Sequence, residues 1–423
     1  MPDPQPDTAI GPTRVRLDAL DVIRGIAVLG ILLMNIEEMG TPKAAWDYPP
    51  LISWTGADQA VWWLRDVLAK GTMRGLLSLL FGAGFILMTT RAGRDDARIA
   101  DAYHRRNIWL VLFGLIHGYV LLWPGDILLI YGAIALFLFP WRHWAPARLV
   151  KAGALVVLVL TLLSASQYWN AVKLSKQATA ARARQQAGAA LSSAEKEAVT
   201  RWERRENRWQ PRPEEIAKDT TARLGGYLSN LWWEVEWANE LNGPVGFFYW
   251  TLDALALMFV GAALVKWGVI QGERAPAFYL ALAAIGYLVG ISLNIAEAWP
   301  LWTSQFKAPI VWGQLTHQVS RIAVTFGHLG LILLIFGNSI GRRVLRPFAA
   351  VGRLALSNYI AQTLVCQWLL FPGFGLGLFG RFGLARLWLI VLAVNVVQIV
   401  ASVLYLRRFQ MGPLEWVLRR LSY

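Results

Sequence analysis

Two residues on either side of a tight turn have the types and the spacing for general-base chemistry. His117 lies in the apolar stretch FGLIHGYVLLWPGDILLIYG, and Asp126 follows it across Trp123-Pro124-Gly125. A carboxylate that holds an imidazole in one tautomer leaves the other ring nitrogen able to accept a proton, which suits acyl or proton transfer. The structural alternative is a histidine satisfied by a neighbouring hydroxyl or carbonyl group. We expect His117 and Asp126 to form a catalytic pair.

A second pair lies near the start of the chain. Arg24 follows Asp21 by one helical turn in LDALDVIRGIAVLG, a spacing that allows an ion pair. One interpretation of Arg24 is an anchor at the membrane interface. The other is a cation for a phosphate-bearing ligand that approaches from the cytoplasm, which makes Asp21 and Arg24 candidate donor-binding residues.

Other polar residues interrupt the apolar segments, where such groups are costly unless they are paired or hydrated. We expect them to line a polar cavity formed by Asn35, Asp253, His317, Arg321, His328, Asn358 and Gln362. Asn358 and Gln362 equally fit hydrogen bonds between helices. No metal site is expected, since no two histidines have ligand spacing with a third acidic residue nearby.

The elements that must position these residues are membrane-spanning helices. Of the 423 residues, 56 % are hydrophobic and 16 % are charged, and the mean hydropathy is +0.41. A soluble domain would need more polar surface, and the long apolar runs lack the alternation of barrel strands. A bilayer core takes roughly 20 residues of helix. The sequence therefore predicts an all-α polytopic membrane protein with about ten spans, at 19–38, 72–90, 107–123, 127–141, 149–168, 245–265, 276–296, 319–338, 350–370 and 385–406.

The basic residues predict an orientation for these spans. With the N-terminus inside, the short inner segments carry 20 Lys and Arg and the short outer segments carry seven. The positive-inside rule then places both termini in the cytoplasm. Most of the bases outside the long insert lie in short loops that face anionic lipid, so the net charge of +14 indicates a bilayer and not a nucleic acid as partner.

The predicted orientation divides the chain into five parts. They are a disordered cytoplasmic tail over 1–18, spans one to five within 19–168, an outer helical insert over 169–244, spans six to ten within 245–406, and a cytoplasmic tail over 407–423. In the second part, residues 57–69 (ADQAVWWLRDVLA) predict a helix that lies in the membrane interface. The insert carries a predicted capping box at Ser192 and Glu195 and tryptophans that indicate a return to an interface, at 202, 209, 232, 233 and 237.

Several motifs resemble those of the YeiB family of bacterial inner-membrane proteins, whose C-terminal part is classed as a domain of unknown function. The motifs are LDALDVIRGIAVLGILLMNI near the start, LLSLLFGAGF (76–85), GLIHGYVLLWPGDILLIYG (114–132), GRLALSNYIAQTL (352–364) and MGPLEWVLRRLSY (411–423). This resemblance covers almost the whole chain. It implies a multi-pass protein of the bacterial inner (plasma) membrane.

The opening Asp-x-x-Arg-Gly, here Asp21 to Gly25, is also similar to that of the transmembrane acyltransferases. These include heparan-alpha-glucosaminide N-acetyltransferase and bacterial enzymes that O-acetylate surface glycans. The resemblance implies an acyl-CoA donor in the cytoplasm, faced by Arg24, and a cell-envelope glycan or lipid acceptor on the other side. The bacterial O-acetyltransferases carry a histidine eleven residues after this arginine, where this chain has Asn35. A different base is therefore needed, and His117 is the candidate.

The sequence leaves other functions open beside an acyltransferase. A transporter or exporter of a small solute could use the same polar interior, although no inverted repeat or pair of broken helices is evident. A non-catalytic component of a larger assembly could use the tryptophan-rich insert as its contact surface. A homo-oligomer is a further open alternative.

Overall fold

A computed structural model describes residues 12–90, 96–207, 212–307 and 310–422, with side chains from Asp18 onward. Within these ranges the chain is helical and contains no β-strand. The α-helices are α1 (Pro12–Gly40), α2 (Ala44–Asp47), α3 (Gly56–Leu64), α4 (Thr72–Thr89), α5 (Asp96–Tyr119), α6 (Leu128–Leu138), α7 (Pro146–Gln186), α8 (Ser193–Glu206), α9 (Pro213–Leu224), α10 (Tyr227–Leu241), α11 (Pro244–Lys266), α12 (Pro276–Thr303), α13 (His317–Phe336), α14 (Ser339–Arg353), α15 (Ala355–Thr363), α16 (Leu384–Tyr405) and α17 (Pro413–Ser422). Between them lie 3-10 helices at Pro49–Leu51, Phe139–His143 and Trp312–Leu315 and π-helices at Arg65–Ala69 and Leu364–Leu370.

Seven helical segments in the described part are long and apolar enough to cross a membrane. They are Asp18–Gly40, Gly56–Thr89, Pro146–Gln186, Pro244–Lys266, Pro276–Thr303, His317–Phe336 and Leu384–Tyr405. This set confirms an all-α polytopic membrane protein. The total of ten and the cytoplasmic position of both termini stay predictions.

Three predicted spans are not among the seven. The span 107–123 lies in α5, whose N-terminal half DARIADAYHRR is strongly charged. The span 127–141 corresponds to α6, which has 11 residues and continues as a 3-10 turn. The span 350–370 is interrupted at Leu354, where the backbone leaves the helical conformation between α14 and α15.

The interruption at Leu354 corrects the ninth predicted span and has a clear cause. One carboxylate oxygen of Glu415, in α17, accepts hydrogen bonds from the backbone N–H groups of Leu356 (2.7 Å) and Ser357 (3.1 Å). The other accepts from the Ser357 hydroxyl at 2.5 Å. A carboxylate at a helix N-terminus satisfies unpaired donors and complements the helix dipole. Glu415 therefore starts a new helix at this point.

Close helix crossings depend on glycines in the predicted motifs. A Cβ atom at Gly25 would overlap the backbone carbonyl of Phe348, and one at Gly352 would overlap that of Asp21. Helices α1 and α14 therefore approach each other to backbone contact, as small residues allow in membranes. The glycine of Asp-x-x-Arg-Gly thus has a packing role, separate from that of Arg24.

The insert begins as a continuation of a span. α7 runs without a break from Pro146 to Gln186, past the predicted span end at 168. The chain then forms α8, α9 and α10, with the capping box of Ser192 and Glu195 present at the start of α8. Trp202 is buried, whereas Trp209 lies outside the described residues.

The N-terminal tail is shorter than predicted. α1 begins at Pro12, and proline is favoured in the first turn of a helix. The segment 12–18, expected in the disordered tail 1–18, is therefore helical, and residues 1–11 lie outside the described residues. The C-terminal tail 407–423 contains α17.

The predicted interfacial helix 57–69 comprises α3 and a π-helical turn, and it leads into α4. Its Trp62 is 1 % exposed and packs edge-on against Trp54 and Phe306. This tryptophan therefore belongs to the protein interior, while Leu64 is half exposed.

Candidate functional site

The hairpin between α5 and α6 joins the first predicted pair. His117 is in the last turn of α5, and its Nδ1 lies 2.7 Å from Asp126 Oδ1. The other carboxylate oxygen of Asp126 accepts the N–H of Leu129 at 2.8 Å, at the start of α6. Both side chains are buried, His117 completely. Asp126 is therefore placed to accept a hydrogen bond from the Nδ1–H group of His117 while it also caps α6.

A third residue completes this chain of hydrogen bonds. His117 Nε2 lies 2.8 Å from the Oγ1 atom of Thr363, which is 1 % exposed. With Nδ1 donating to Asp126, Nε2 carries the lone pair, so the Thr363 hydroxyl is the donor. The ring of Tyr359 packs edge-on against the imidazole, with centroids 4.9 Å apart.

Sequence reasoning missed Thr363 and Tyr359. Thr363 is 246 positions from His117, so no local pattern relates them. The available signal was their spacing, since Tyr359 and Thr363 are one helical turn apart in GRLALSNYIAQTL.

A basic cavity of about 470 Å³ lies beside this site. We call it the arginine cavity because Arg24, Arg106, Arg353 and Arg419 line it. Arg24 pairs with Asp21 at 2.8 Å, as its spacing predicts. Apolar side chains of α4 form part of the wall, which also includes Val28, Ile127, Tyr131 and Tyr359.

A second cavity, of about 350 Å³, lies against the opposite ends of α1 and α4. We call it the aspartate cavity because Asp126 lines it. Its other polar lining residues are Asn35, Glu38, Lys70, Arg74, Asn242 and His317, and its aromatic lining residues include Trp46 and Trp250. This cavity therefore combines charges of both signs with flat aromatic surfaces.

The two cavities lie back to back. On α1, the arginine cavity is lined as far as Val28 and the aspartate cavity from Ile31 onward, about one turn later. On α4, the aspartate cavity is lined as far as Arg74 and the arginine cavity from Leu77 onward. Ile127 and Tyr131 line both cavities. The separating wall is therefore thin, and the His117 site lies beside it.

The structure divides the seven residues predicted to line one polar cavity into three groups. Asn35 and His317 do line the aspartate cavity. Asp253 and Arg321 form a buried ion pair, and Arg74 joins Asp253 (3.1 Å) to the wall of the aspartate cavity. These two residues therefore support the cavity from behind its wall.

The remaining three residues line neither cavity. His328 bonds to the Tyr287 hydroxyl and the Leu68 carbonyl, both at 2.9 Å. Asn358 donates to Ser402 Oγ and Gln362 donates to Gln398 Oε1, each at 3.0 Å. Because every one of these partners is on another helix, the three side chains hold helices together.

The insert reaches the site through Arg223 of α9. Its guanidinium is buried, pairs with Glu234, and donates to the carbonyl of Met39 (2.8 Å) and to Gln367 Oε1 (3.1 Å). Burial lowers the pKa of Arg223 to about 10, which leaves the group charged at neutral pH. Gln367 lies in the π-helix that follows Thr363, so the insert is tied to the segment that carries the site.

Comparisons with known proteins cover almost the whole chain. Residues 264–423 match the family model described as "Protein of unknown function (DUF418)". The chain is 30 % identical to the uncharacterized protein YeiB of Escherichia coli (strain K12), over 95 % of both chains. The chain belongs to the YeiB family.

Two further relatives are similar to this YeiB-family chain over its length. The uncharacterized protein YxaH of Bacillus subtilis (strain 168) is 27 % identical over 97 % of this chain and 95 % of its own. An uncharacterized 39.9 kDa protein of Bacillus acidopullulyticus is 26 % identical over 96 % and 94 %. The DUF418 segment contains Thr363 and Tyr359, whereas His117 and Asp126 precede it. The candidate site thus combines both halves of the YeiB-family chain.

In the described part of the chain, no group of three or more His, Cys, Asp or Glu side chains is placed to hold a metal ion. The single cysteine, Cys366, is buried three residues after Thr363. The reactive groups that the site offers are therefore a hydroxyl, an imidazole and a carboxylate in sequence.

Proposed function

We propose that this YeiB-family protein is a transmembrane acyltransferase of the bacterial inner membrane. It takes an acyl group from cytoplasmic acyl-CoA in the arginine cavity and delivers it to a hydroxyl or amine presented in the aspartate cavity. The observation that carries the proposal is the buried His117–Asp126 pair beside the thin wall between two opposed cavities. The similarity to YeiB and to the DUF418 model shows the family, and the reaction is inferred from the residues of the site.

The arginine cavity has the chemistry for the donor. Coenzyme A is anionic through its phosphates, and guanidinium groups bind phosphate with paired, charge-assisted hydrogen bonds. Arg24, Arg106, Arg353 and Arg419 supply these cations along one cavity. The apolar wall, with Leu77 and Phe81, suits the acyl chain and the uncharged part of the donor.

The aspartate cavity has the chemistry for the acceptor. Trp46 and Trp250 add apolar ring surface for a sugar ring or a lipid headgroup, although a guanidinium group, of Arg65 and Arg74 respectively, covers one face of each. Asn35 and Asn242 offer hydrogen bonds to hydroxyl groups. This combination supports a cell-envelope glycan or lipid as acceptor.

In the reaction, His117 acts as general base. Asp126 accepts a hydrogen bond from the Nδ1–H group and keeps the proton on that nitrogen, so Nε2 can take the proton that the acceptor loses as it is acylated. The acyl carbon gains a bond to the acceptor oxygen or nitrogen and loses its bond to sulfur. The proton on Nε2 then passes to the thiolate, and the products are the acylated acceptor and free coenzyme A.

Labelled acyl-CoA tests this function. Purified protein mixed with radiolabelled acetyl-CoA and a cell-envelope extract should give a labelled product, and His117→Ala should abolish it. His143→Ala, a histidine in the 3-10 turn after α6 that lines neither cavity, is the matched control. Equal labelling by His117→Ala and His143→Ala would remove His117 from the mechanism.

The opposed cavities also favour transport of a small solute as a second function. Alternating-access carriers open a site near the bilayer midplane to one side at a time, and two cavities separated by a thin wall fit that arrangement. Uptake of solute into proteoliposomes driven by a pH gradient, without release of coenzyme A, would select this function over acyl transfer.

A further inference from the structure

We propose that Thr363 is the nucleophile of the transfer and carries the acyl group as a threonine ester between the two cavities. This inference rests on the proposed acyltransferase function and adds a covalent intermediate to it. The carboxylate of Asp126, the imidazole of His117 and the hydroxyl of Thr363 form a chain of hydrogen bonds. Asp126 Oδ1 lies 2.7 Å from Nδ1, and Thr363 Oγ1 lies 2.8 Å from Nε2. This is the connectivity that activates hydroxyl nucleophiles.

The hydroxyl of Thr363 has a different partner from those of several other helical threonines in this protein. Thr89, Thr161 and Thr325 each donate to the carbonyl of the residue four positions earlier, at 2.7 to 2.8 Å. Such back-bonding is the usual choice of a helical threonine, because it satisfies the hydroxyl locally. Thr363 instead bonds to His117 Nε2, the atom that has to accept its proton.

The backbone at Thr363 is also unusual. Thr363 is the last residue of α15, and the chain continues directly as a π-helix over Leu364–Leu370. π-helical turns inside α-helices occur frequently at functional sites, because they change the direction of side chains. Gln367 in this π-helix accepts a hydrogen bond from Arg223 in α9 of the insert. The insert therefore helps to hold the π-helix in place.

Thr363 is 1 % exposed and lines neither cavity, but residues beside it line both. Tyr359, one turn earlier on α15, lines the arginine cavity and contacts the imidazole of His117. Asp126, at the other end of the relay, lines the aspartate cavity. For a donor thioester in the arginine cavity to reach the buried Thr363, the ring of Tyr359 has to move aside. A covalent ester lets coenzyme A leave before the acceptor arrives, so the two cavities need not be open together.

The two half-reactions balance without any further reactant. In the first, Thr363 Oγ1 attacks the thioester carbonyl, its proton moves to His117 Nε2, the carbon–sulfur bond breaks, and the thiolate takes the proton from Nε2. In the second, an acceptor hydroxyl or amine attacks the threonine ester and gives its proton to Nε2. The carbon–Oγ1 bond then breaks, and Thr363 recovers its proton.

The decisive experiment omits the acceptor. Full-length protein in detergent is mixed with radiolabelled acetyl-CoA alone, then digested and analysed by mass spectrometry. We expect one acetyl group on the peptide that contains Thr363, released by hydroxylamine, and an equal amount of free coenzyme A. Thr363→Ser should keep the label, while the isosteric Thr363→Val should lose it and reduce turnover about 1000-fold or more, as for other nucleophiles.

Kinetics with acceptor separate this inference from the proposed function. Parallel double-reciprocal plots together with label on Thr363 support the threonine ester. Turnover with intersecting plots, no label, and normal rates in Thr363→Val would overturn the ester and leave the acyltransferase standing. Absence of both label and turnover in the wild-type protein would overturn both.

Discussion

At the residue scale, the partners of a histidine decide what it can do. His117 and His328 are both hydrogen-bonded through both ring nitrogens. His328 donates to a backbone carbonyl, an acceptor that cannot stabilise a charged imidazolium as a carboxylate does. His117 has Asp126 on Nδ1 and a hydroxyl on Nε2, so it can become charged during a reaction.

Asp126→Asn should therefore damage activity more than stability. The amide keeps the shape of the carboxylate, but its NH₂ group can donate to Nδ1 and place the imidazole in the wrong tautomer. We expect acyl transfer to fall about 10⁴-fold, as for the same change in other triads, while the melting temperature stays close to that of the wild type. Asp96→Asn, at an exposed aspartate, is the control. Wild-type turnover in Asp126→Asn would contradict the assigned role.

The sequence predicted this site only in part, for a physical reason. His117 and Asp126 are nine residues apart across one turn, so local geometry brings them together. The contact with Thr363 spans 246 residues and depends on how α15 packs, which no local spacing encodes. For the same reason, the sequence does not decide between a cavity and an interhelical bond for Gln362, which donates to the carbonyl of Val28 and to Gln398.

At the element scale, hydropathy located the apolar helices better than their interruptions. The predicted ninth span 350–370 merged the end of α14 with α15, because the sequence VGRLALSN contains no proline. The break is imposed by Glu415, nearly sixty residues later. A break caused by a distant carboxylate has no local signal.

Glu415→Ala should loosen the start of α15. The substitution leaves the N–H groups of Leu356 and Ser357 without their acceptor, at a cost of about 1–3 kcal/mol in the free energy of unfolding. Hydrogen exchange at these two amides should accelerate. Glu236→Ala, in α10 of the insert, is the matched control. Unchanged exchange at both amides would contradict the capping role.

The cap of α8 should respond to acid. The backbone and side-chain hydrogen bonds from Ser192 lower the pKa of Glu195. A carboxylate whose pKa is lower in the folded state stabilises the fold above its unfolded pKa, and this contribution is lost as the pH falls through the folded pKa. Hydrogen exchange in the first turn of α8 should therefore rise between about pH 5 and pH 3, relative to Glu195→Gln. An equal rise of hydrogen exchange in the wild type and in Glu195→Gln would contradict the role of the Glu195 carboxylate in the cap.

At the scale of the whole molecule, the ratio of 20 to seven basic residues predicts that the arginine cavity faces the cytoplasm. The same orientation puts the insert and the aspartate cavity outside. The length and composition of the helices establish a membrane protein, and its orientation is a separate prediction that labelling can measure.

Cysteine labelling tests this orientation. In a Cys366→Ala background, Ala189→Cys lies in the insert and Ala275→Cys lies in the loop before α12, both exposed. A membrane-impermeant maleimide added to intact cells should label position 189 at once and position 275 only after permeabilisation. The reverse labelling pattern would show the opposite topology. The aspartate cavity would then face the cytoplasm and the proposed donor and acceptor cavities would exchange roles.

The central claim is that an acyl group crosses the membrane through the His117 site. The most direct measurement supplies radiolabelled acetyl-CoA only on the arginine-cavity side of oriented proteoliposomes and the envelope acceptor only on the other side. We predict labelled acceptor with the wild-type protein and with His143→Ala, and at least about a 100-fold loss with His117→Ala. Labelling only when donor and acceptor share one side, or labelling unaffected by His117→Ala, would contradict the claim.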